Sequence, residues 1–188
     1  MDTSYSGYDV DESYGRIREI LDSSDSDYQD RKEIPSSDAL TYLNGFYVAC
    51  SSVFIDIRGS KKLTEKHTRP VLAKIYRAYI SECIAVMRDH LEVRHINIEG
   101  DCVWGVFSTP YQNQINQAFV TAFYLASLVD ILNWRLEKKG YSQISVGIGC
   151  SYGDALMIKA GYNGSGVNDI VYMGDVVNES AKLCSLVF

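Results

Sequence analysis

The feature that most constrains this chain is the run from Phe46 to Ile57, Phe46-Tyr47-Val48-Ala49-Cys50-Ser51-Ser52-Val53-Phe54-Ile55-Asp56-Ile57, in which nearly every side chain is apolar. A strand with one face in water alternates apolar with polar residues, and this segment does not. It reads as a strand buried on both faces. Near its end stands a carboxylate, Asp56, within Phe54-Ile55-Asp56-Ile57-Arg58-Gly59-Ser60. A carboxylate at the end of a buried strand is costly unless its charge is compensated, and a metal ion is one way to compensate it. An Asp-x-x-Gly turn is the other reading of the same residues.

The remaining patterns supply partners for that strand. Leu72, Ile75, Tyr79, Cys83, Met87 and Leu91 recur at helical spacing between Pro70 and Leu91. From Val93 to Glu99, Ile96 and Ile98 share one face while His95, Asn97 and Glu99 share the other. Glu99-Gly100-Asp101 predicts a tight turn, with Cys102 to Ser108 as the returning strand of a hairpin. A second long helix is expected over Ile115 to Leu136, strands over Ile144 to Tyr152, Ala155 to Lys159 and Ile170 to Met173, and a last helix from Asp175. This order predicts an α+β, ferredoxin-like fold: a mainly antiparallel sheet with helices packed on one face.

No stretch approaches about 20 consecutive apolar residues, so no membrane span is expected. The start of the chain lacks a basic segment followed by an apolar one, which argues against secretion. The five cysteines are scattered singly, and they read as reduced core residues of a cytoplasmic protein rather than a disulfide frame or a zinc site.

The formal charge of −6 is unevenly placed. Residues 1–40 hold eleven acidic side chains against four basic ones, a net of −7, which leaves 13 acids and 14 bases for the rest. Residues 1–42 therefore read as an acidic N-terminal extension, partly helical between Asp11 and Ser23, with Tyr14, Ile17, Ile20 and Leu21 on one helix face. A solvated tail and a docking or dimerising arm are both compatible with it. The body, 43–188, is close to neutral and does not repel anionic small molecules, whereas the overall charge disfavours nucleic-acid or anionic-membrane binding.

Topology gives Asp56 a second meaning. In a ferredoxin-like sheet the first strand and the following hairpin are neighbours, so Asp56 and Asp101 converge although they are 45 positions apart. Two carboxylates beside a glycine turn make a hard-oxygen site suited to Mg²⁺ or Mn²⁺. Backbone N–H groups of Gly59, Ser60 and Lys61, where the next helical segment starts, would face a polyphosphate. Asn178 and Lys182, four apart, share one face of the last helix.

Taken together, Phe54-Ile55-Asp56-Ile57-Arg58-Gly59, Asn97-Ile98-Glu99-Gly100-Asp101, Val146-Gly147-Ile148-Gly149 and Gly174-Asp175-Val176-Val177-Asn178 resemble, in order and spacing, the catalytic domain of class III nucleotidyl cyclases, from about Phe46 to Leu183. The resemblance implies that Asp56, Asp101 and the Ile57 carbonyl hold two divalent cations, Mn²⁺ or Mg²⁺. Arg58, Gly59, Ser60 and Lys61 at the turn after the strand are the expected phosphate-binding set, and the resemblance implies Asn178 orienting the ribose and Lys182 meeting charge at the α-phosphate of a nucleoside triphosphate. It further implies a homodimer, with the ions on one subunit and Asn178 and Lys182 on the other.

The sequence departs from the family pattern in four ways. Lysine stands at 182 where arginine is usual, which keeps the charge but loses the bidentate fork. Ser60 and Lys61 stand where phenylalanine and threonine are usual. The chain stops short of the final strands and lysine that many members carry. The two positions that select the base, Asn97 and Val171, hold neither the lysine–aspartate pair of ATP-specific members nor the glutamate–cysteine pair of GTP-specific ones. The Asn97 amide can serve either uracil or cytosine. Tyr47 and Tyr172 are the nearest aromatics to fill space around a smaller base.

This combination is similar to the small bacterial pyrimidine cyclases of Pycsar antiphage defence, which make cyclic UMP or cyclic CMP for a separate effector protein. The expected function is therefore a metal-dependent cyclase with UTP preferred over CTP. An adenylate or guanylate cyclase with an atypical pocket, and an inactive nucleotide-binding module, remain as alternatives.

Overall fold

The computed structural model describes residues 3–186. Its centre is β2 (Gly45–Ile57), and the apolar run does lie buried on both sides. Val53, Ile55 and Ile57 point to one face, where they meet Ile75, Tyr79, Cys83 and Met87 of α3 (Arg69–Arg88) and Leu125, Val129, Leu132 and Leu136 of α4 (Gln112–Lys138). Phe46, Val48 and Cys50 point to the other face, into a second core with Val106, Met157, Tyr172 and Val176. One alternating strand thus joins two cores.

The sheet order is β3-β4-β2-β5-β6, antiparallel throughout that path, where β3 is Val93–Glu99, β4 Cys102–Ser108, β5 Val146–Gly161 and β6 Asn168–Met173. The fold is the expected α+β arrangement, and the two long helices share one face. The last helix, α5 (Asp175–Ser185), lies on the other face against β5 and β2, burying Val176, Ser180 and Cys184. Glycine makes that seat. A Cβ on Gly149 would come within 2.0 Å of the Ser180 carbonyl oxygen, and one on Gly147 within 2.0 Å of the Cys184 carbonyl oxygen.

Two local expectations are corrected. The strands expected at Ile144–Tyr152 and Ala155–Lys159 are one strand, because Gly153 pairs with Cys50 and Asp154 with Ala49 and the ladder never breaks. Leu91 is not on the core face of α3: the helix stops at Arg88 and Leu91 is exposed. Although no apolar run of spanning length is visible in the sequence, α4 is long and apolar enough, by length and composition, to cross a membrane. In this fold one of its stripes packs into the core, while Phe123, Tyr124, Ile131 and Trp134 face outward.

The acidic extension also contributes to the body. A helix, α1 (Val10–Leu21), with no buried residue, is followed by a short strand, β1 (Tyr28–Arg31), that pairs parallel with Gly45–Val48. Ile34 and Leu40 then enter the second core. The five cysteines are all free, with Cys50, Cys83 and Cys184 buried.

Candidate active site

On the α5 face, side chains of β3, β4, β2 and β5 line up in transverse rows. Asn97 lies opposite Trp104, Trp104 opposite Phe54, and Phe54 opposite Gly149. Phe54 and Trp104 stack with ring centroids 4.9 Å apart and planes 4° apart. Asp56, two residues along β2 from Phe54, lies opposite Gly147. The turn between β3 and β4 carries Asp101 at the same end of the sheet.

The charge of Asp101 is felt at Asp56. Burial, then the charge of Asp101, raises the Asp56 carboxyl above its ordinary value, with Arg58 and the Ile57 N–H acting in the opposite direction. The phenol of Tyr76, from α3, is raised by burial and then by the charges of Asp101 and Asp56, with a Ser60 hydrogen bond acting the other way. Asp56 also reaches Cys102 of β4 and Cys184 of α5, whose thiols burial pushes up to about 12 and about 11. Like charges held together in a partly buried site favour a cation between them. The donors are hard oxygens: two carboxylates and, at Ile57, a backbone carbonyl. Among the described residues no group of three His, Cys, Asp or Glu side chains is poised to hold a metal. The pair therefore fits a divalent cation that takes its other ligands from carbonyls and phosphates.

The phosphate-binding set expected from the sequence divides. Gly59 adopts the left-handed conformation (φ 61°, ψ 37°) that lets the chain turn from β2 into α2 (Ser60–Lys66), and no side chain caps that helix. Ser60 and Lys61 open α2, and Lys61 is exposed. Arg58 has partners elsewhere. Its N–H donates to the Ser145 carbonyl at 2.8 Å, and its guanidinium donates to the carbonyls of Cys184 and Leu186 at the end of α5. The cation is committed to a helix C-terminus, where it complements the unsatisfied carbonyls.

Asn178 and Lys182 are exposed on the side of α5 turned away from the sheet, about 200° round from Val176 and Ser180. One chain does not bring them to Asp56 and Asp101. What holds α5 in place is a buried pair of hydroxyls: Ser52 donates to the Val176 carbonyl at 2.9 Å and lies 2.6 Å from the Ser180 hydroxyl.

Asn97 is half-buried on β3, and its Nδ2 is buried without a hydrogen-bond partner. Val171 is half-buried on β6. Tyr47 is exposed, away from this face, whereas Tyr172 is buried and its hydroxyl lies 2.6 Å from Nδ1 of His95. Sequence reading singled out neither Tyr76 nor the Tyr172–His95 contact. The alternation that puts His95 on the Asn97 face was visible, but its partner is 77 positions away.

The family model described as the adenylate and guanylate cyclase catalytic domain matches residues 46–186. A uridylate cyclase from Gulbenkiania mobilis is 40% identical over 195 residues, covering 100% of this chain and 75% of that protein. A uridylate cyclase from Treponema porcinum is 38% identical over 176 residues; 94% of this chain matches, but only 61% of that protein. Among solved structures, the adenylyl cyclase CyaB from P. aeruginosa is similar with a TM-score of 0.69 and 20% identity, over 76% of this chain and 74% of that one, a likeness of fold.

Proposed function

The chain belongs to the adenylate and guanylate cyclase catalytic-domain family, and from that premise we propose that it converts a pyrimidine nucleoside triphosphate, UTP ahead of CTP, to the 3′,5′-cyclic monophosphate and pyrophosphate. The observation that carries a base contact at this site is the Asn97 amide: a donor held out of water with nothing to bond, able to serve uracil or cytosine. Such a group is costly while unpaired, and a base edge that pairs with it removes the cost. Two relatives named uridylate cyclase support uracil over cytosine.

The reaction joins the ribose 3′-oxygen to the α-phosphorus and breaks the bond to the β-phosphate, so that pyrophosphate leaves in line. Asp56, Asp101 and the Ile57 carbonyl would hold two divalent ions, which when bound acidify the 3′-hydroxyl and neutralise triphosphate charge. Backbone N–H groups of Gly59 and Ser60 and the Lys61 ammonium face the β- and γ-phosphates. Asn178 orients the ribose, and Lys182 meets charge developing at the α-phosphate. These last two point away from the carboxylates of their own chain, so the reading requires a homodimer in which each site takes Asp56 and Asp101 from one subunit and Asn178 and Lys182 from the other. The cyclic pyrimidine would act as a second messenger on a separate effector, as in antiphage defence.

The test is direct. The purified protein is incubated separately with ATP, GTP, CTP and UTP in Mn²⁺, with an EDTA control, and products are identified by mass spectrometry. Cyclic UMP as the dominant, EDTA-sensitive product is expected. A dominant cyclic purine contradicts the base choice, and no product from any triphosphate points to a binding module.

A further inference from the structure

By hydrogen bonding, β3 and β6 are the two ends of the sheet. Five strands laid flat would hold their outer members roughly 19 Å apart. Yet Tyr172 of β6 and His95 of β3 lie with ring centroids 5.4 Å apart, and the Tyr172 hydroxyl is 2.6 Å from Nδ1 of His95. The curl of the sheet over the second core brings its edges together, and this contact is where they meet. Nε2 of His95 lies 3.1 Å from the Ser37 hydroxyl, in a 3₁₀ turn at Ser37–Ala39 of the N-terminal segment.

The bond is built from neutral groups. Burial lowers His95 from its ordinary value, outweighing the charge of Asp169, and burial raises the phenol of Tyr172. A neutral imidazole donates from one nitrogen and accepts at the other, and each hydroxyl partner can play either role. All three groups are thereby satisfied.

The contact stands beside the two positions on which the base choice depends. Asn97 is two residues along β3 from His95 and so on the same face; Val171 precedes Tyr172 on β6. Each edge strand is fixed by a ladder on one side only, so nothing else in the sheet ladder sets the separation of the two edges. We propose that the Tyr172–His95 hydrogen bond is a clasp that fixes the gap between the strands carrying Asn97 and Val171, narrowing the base pocket to one six-membered ring and excluding the fused ring of a purine. His95 and Tyr172 are then positioning residues for base selection. The inference rests on the pyrimidine-cyclase reading of the site.

Three variants test it. Tyr172→Phe keeps the buried ring and removes the clasp. His95→Asn keeps an amide near Nδ1, within reach of Tyr172, whereas His95→Gln places its amide near Nε2, toward Ser37. For each, kcat and KM are measured with UTP, ATP and GTP in Mn²⁺, with thermal melting as a check on folding. Tyr172→Phe and His95→Gln should lower the UTP-to-purine ratio of kcat/KM by about fivefold to tenfold, the scale of one hydrogen bond, mostly through KM. His95→Asn should stay within about twofold of the parent, again on that scale. A ratio unchanged in Tyr172→Phe, or equal losses in His95→Asn and His95→Gln, overturns the clasp alone. A parent protein with no preference for UTP over purines overturns the pyrimidine reading, and the clasp with it.

Discussion

Gly149 sets the height of α5 above the sheet, and Gly149→Ala tests that seat. The added Cβ would stand 2.0 Å from the Ser180 carbonyl oxygen and 2.4 Å from the Cys184 nitrogen, both backbone atoms, where ordinary contact begins at 3.4 Å. Rotamer change cannot relieve a clash with backbone, so the helix must lift by more than an ångström or β5 must bend. Overpacking of this kind costs about 1–3 kcal/mol, which in a domain of this size lowers Tm by roughly 3–10 °C. The same lift moves Asn178 and Lys182, and a misplacement of about 1 Å reduces turnover by about 10²-fold. Gly153→Ala, on the same strand under the same helix, is the control: its Cβ would meet only the Val176 Cβ, at 3.5 Å. Melting curves and initial rates of cyclic UMP formation read both effects. If Gly149→Ala melts and turns over like the parent, or Gly153→Ala suffers equally, backbone proximity at Gly149 does not position α5.

Arg58→Gln distinguishes the helix-end role from a phosphate role: Tm should fall by about 3–8 °C, the scale of lost charge-assisted hydrogen bonds, with KM for UTP within about twofold. A KM rise of tenfold or more at unchanged Tm would restore Arg58 to the phosphate set. For pH, His95 is lowered on folding by burial, so between its folded value and about 6.5 the unfolded chain binds a proton that the folded chain does not, and stability falls as pH drops through that window. His95→Asn should show a shallower loss of stability than the parent between about pH 7.5 and 5.5, read from urea midpoints; parallel profiles would contradict the assigned shift.

Much of the fold is carried by local pattern. The unbroken apolar texture of Phe46 to Ile57 reports burial on both faces, and the spacing of Ile75, Tyr79, Cys83 and Met87 reports the core side of α3. The approach of Asp56 to Asp101 follows from topology, because a strand and the hairpin beside it end together. What local pattern does not carry is curl and competition. Tyr152-Gly153-Asp154 has turn chemistry, but its pairing with β2 holds it in a continuous strand. Tyr28–Arg31 has no strand-like alternation and forms a strand because the edge of β2 below Cys50 is open to it. Arg58 sits in a phosphate-like context, yet the end of α5, over 120 residues later in the chain, claims it. The Tyr172–His95 contact arises from closure of the sheet, which no window of sequence encodes.

The most direct test of the account is subunit complementation. Asp56→Ala and Asn178→Ala are each expected to be inactive as homodimers, because each damages both shared sites. Mixed and re-associated, they form heterodimers in which one site carries both lesions and the other carries neither. Cyclic UMP formation should return at about half the parental rate per heterodimer, the share of one intact site in two. Confirmed heterodimers that stay inactive, or an Asn178→Ala homodimer as active as the parent, would contradict an active site divided between two chains.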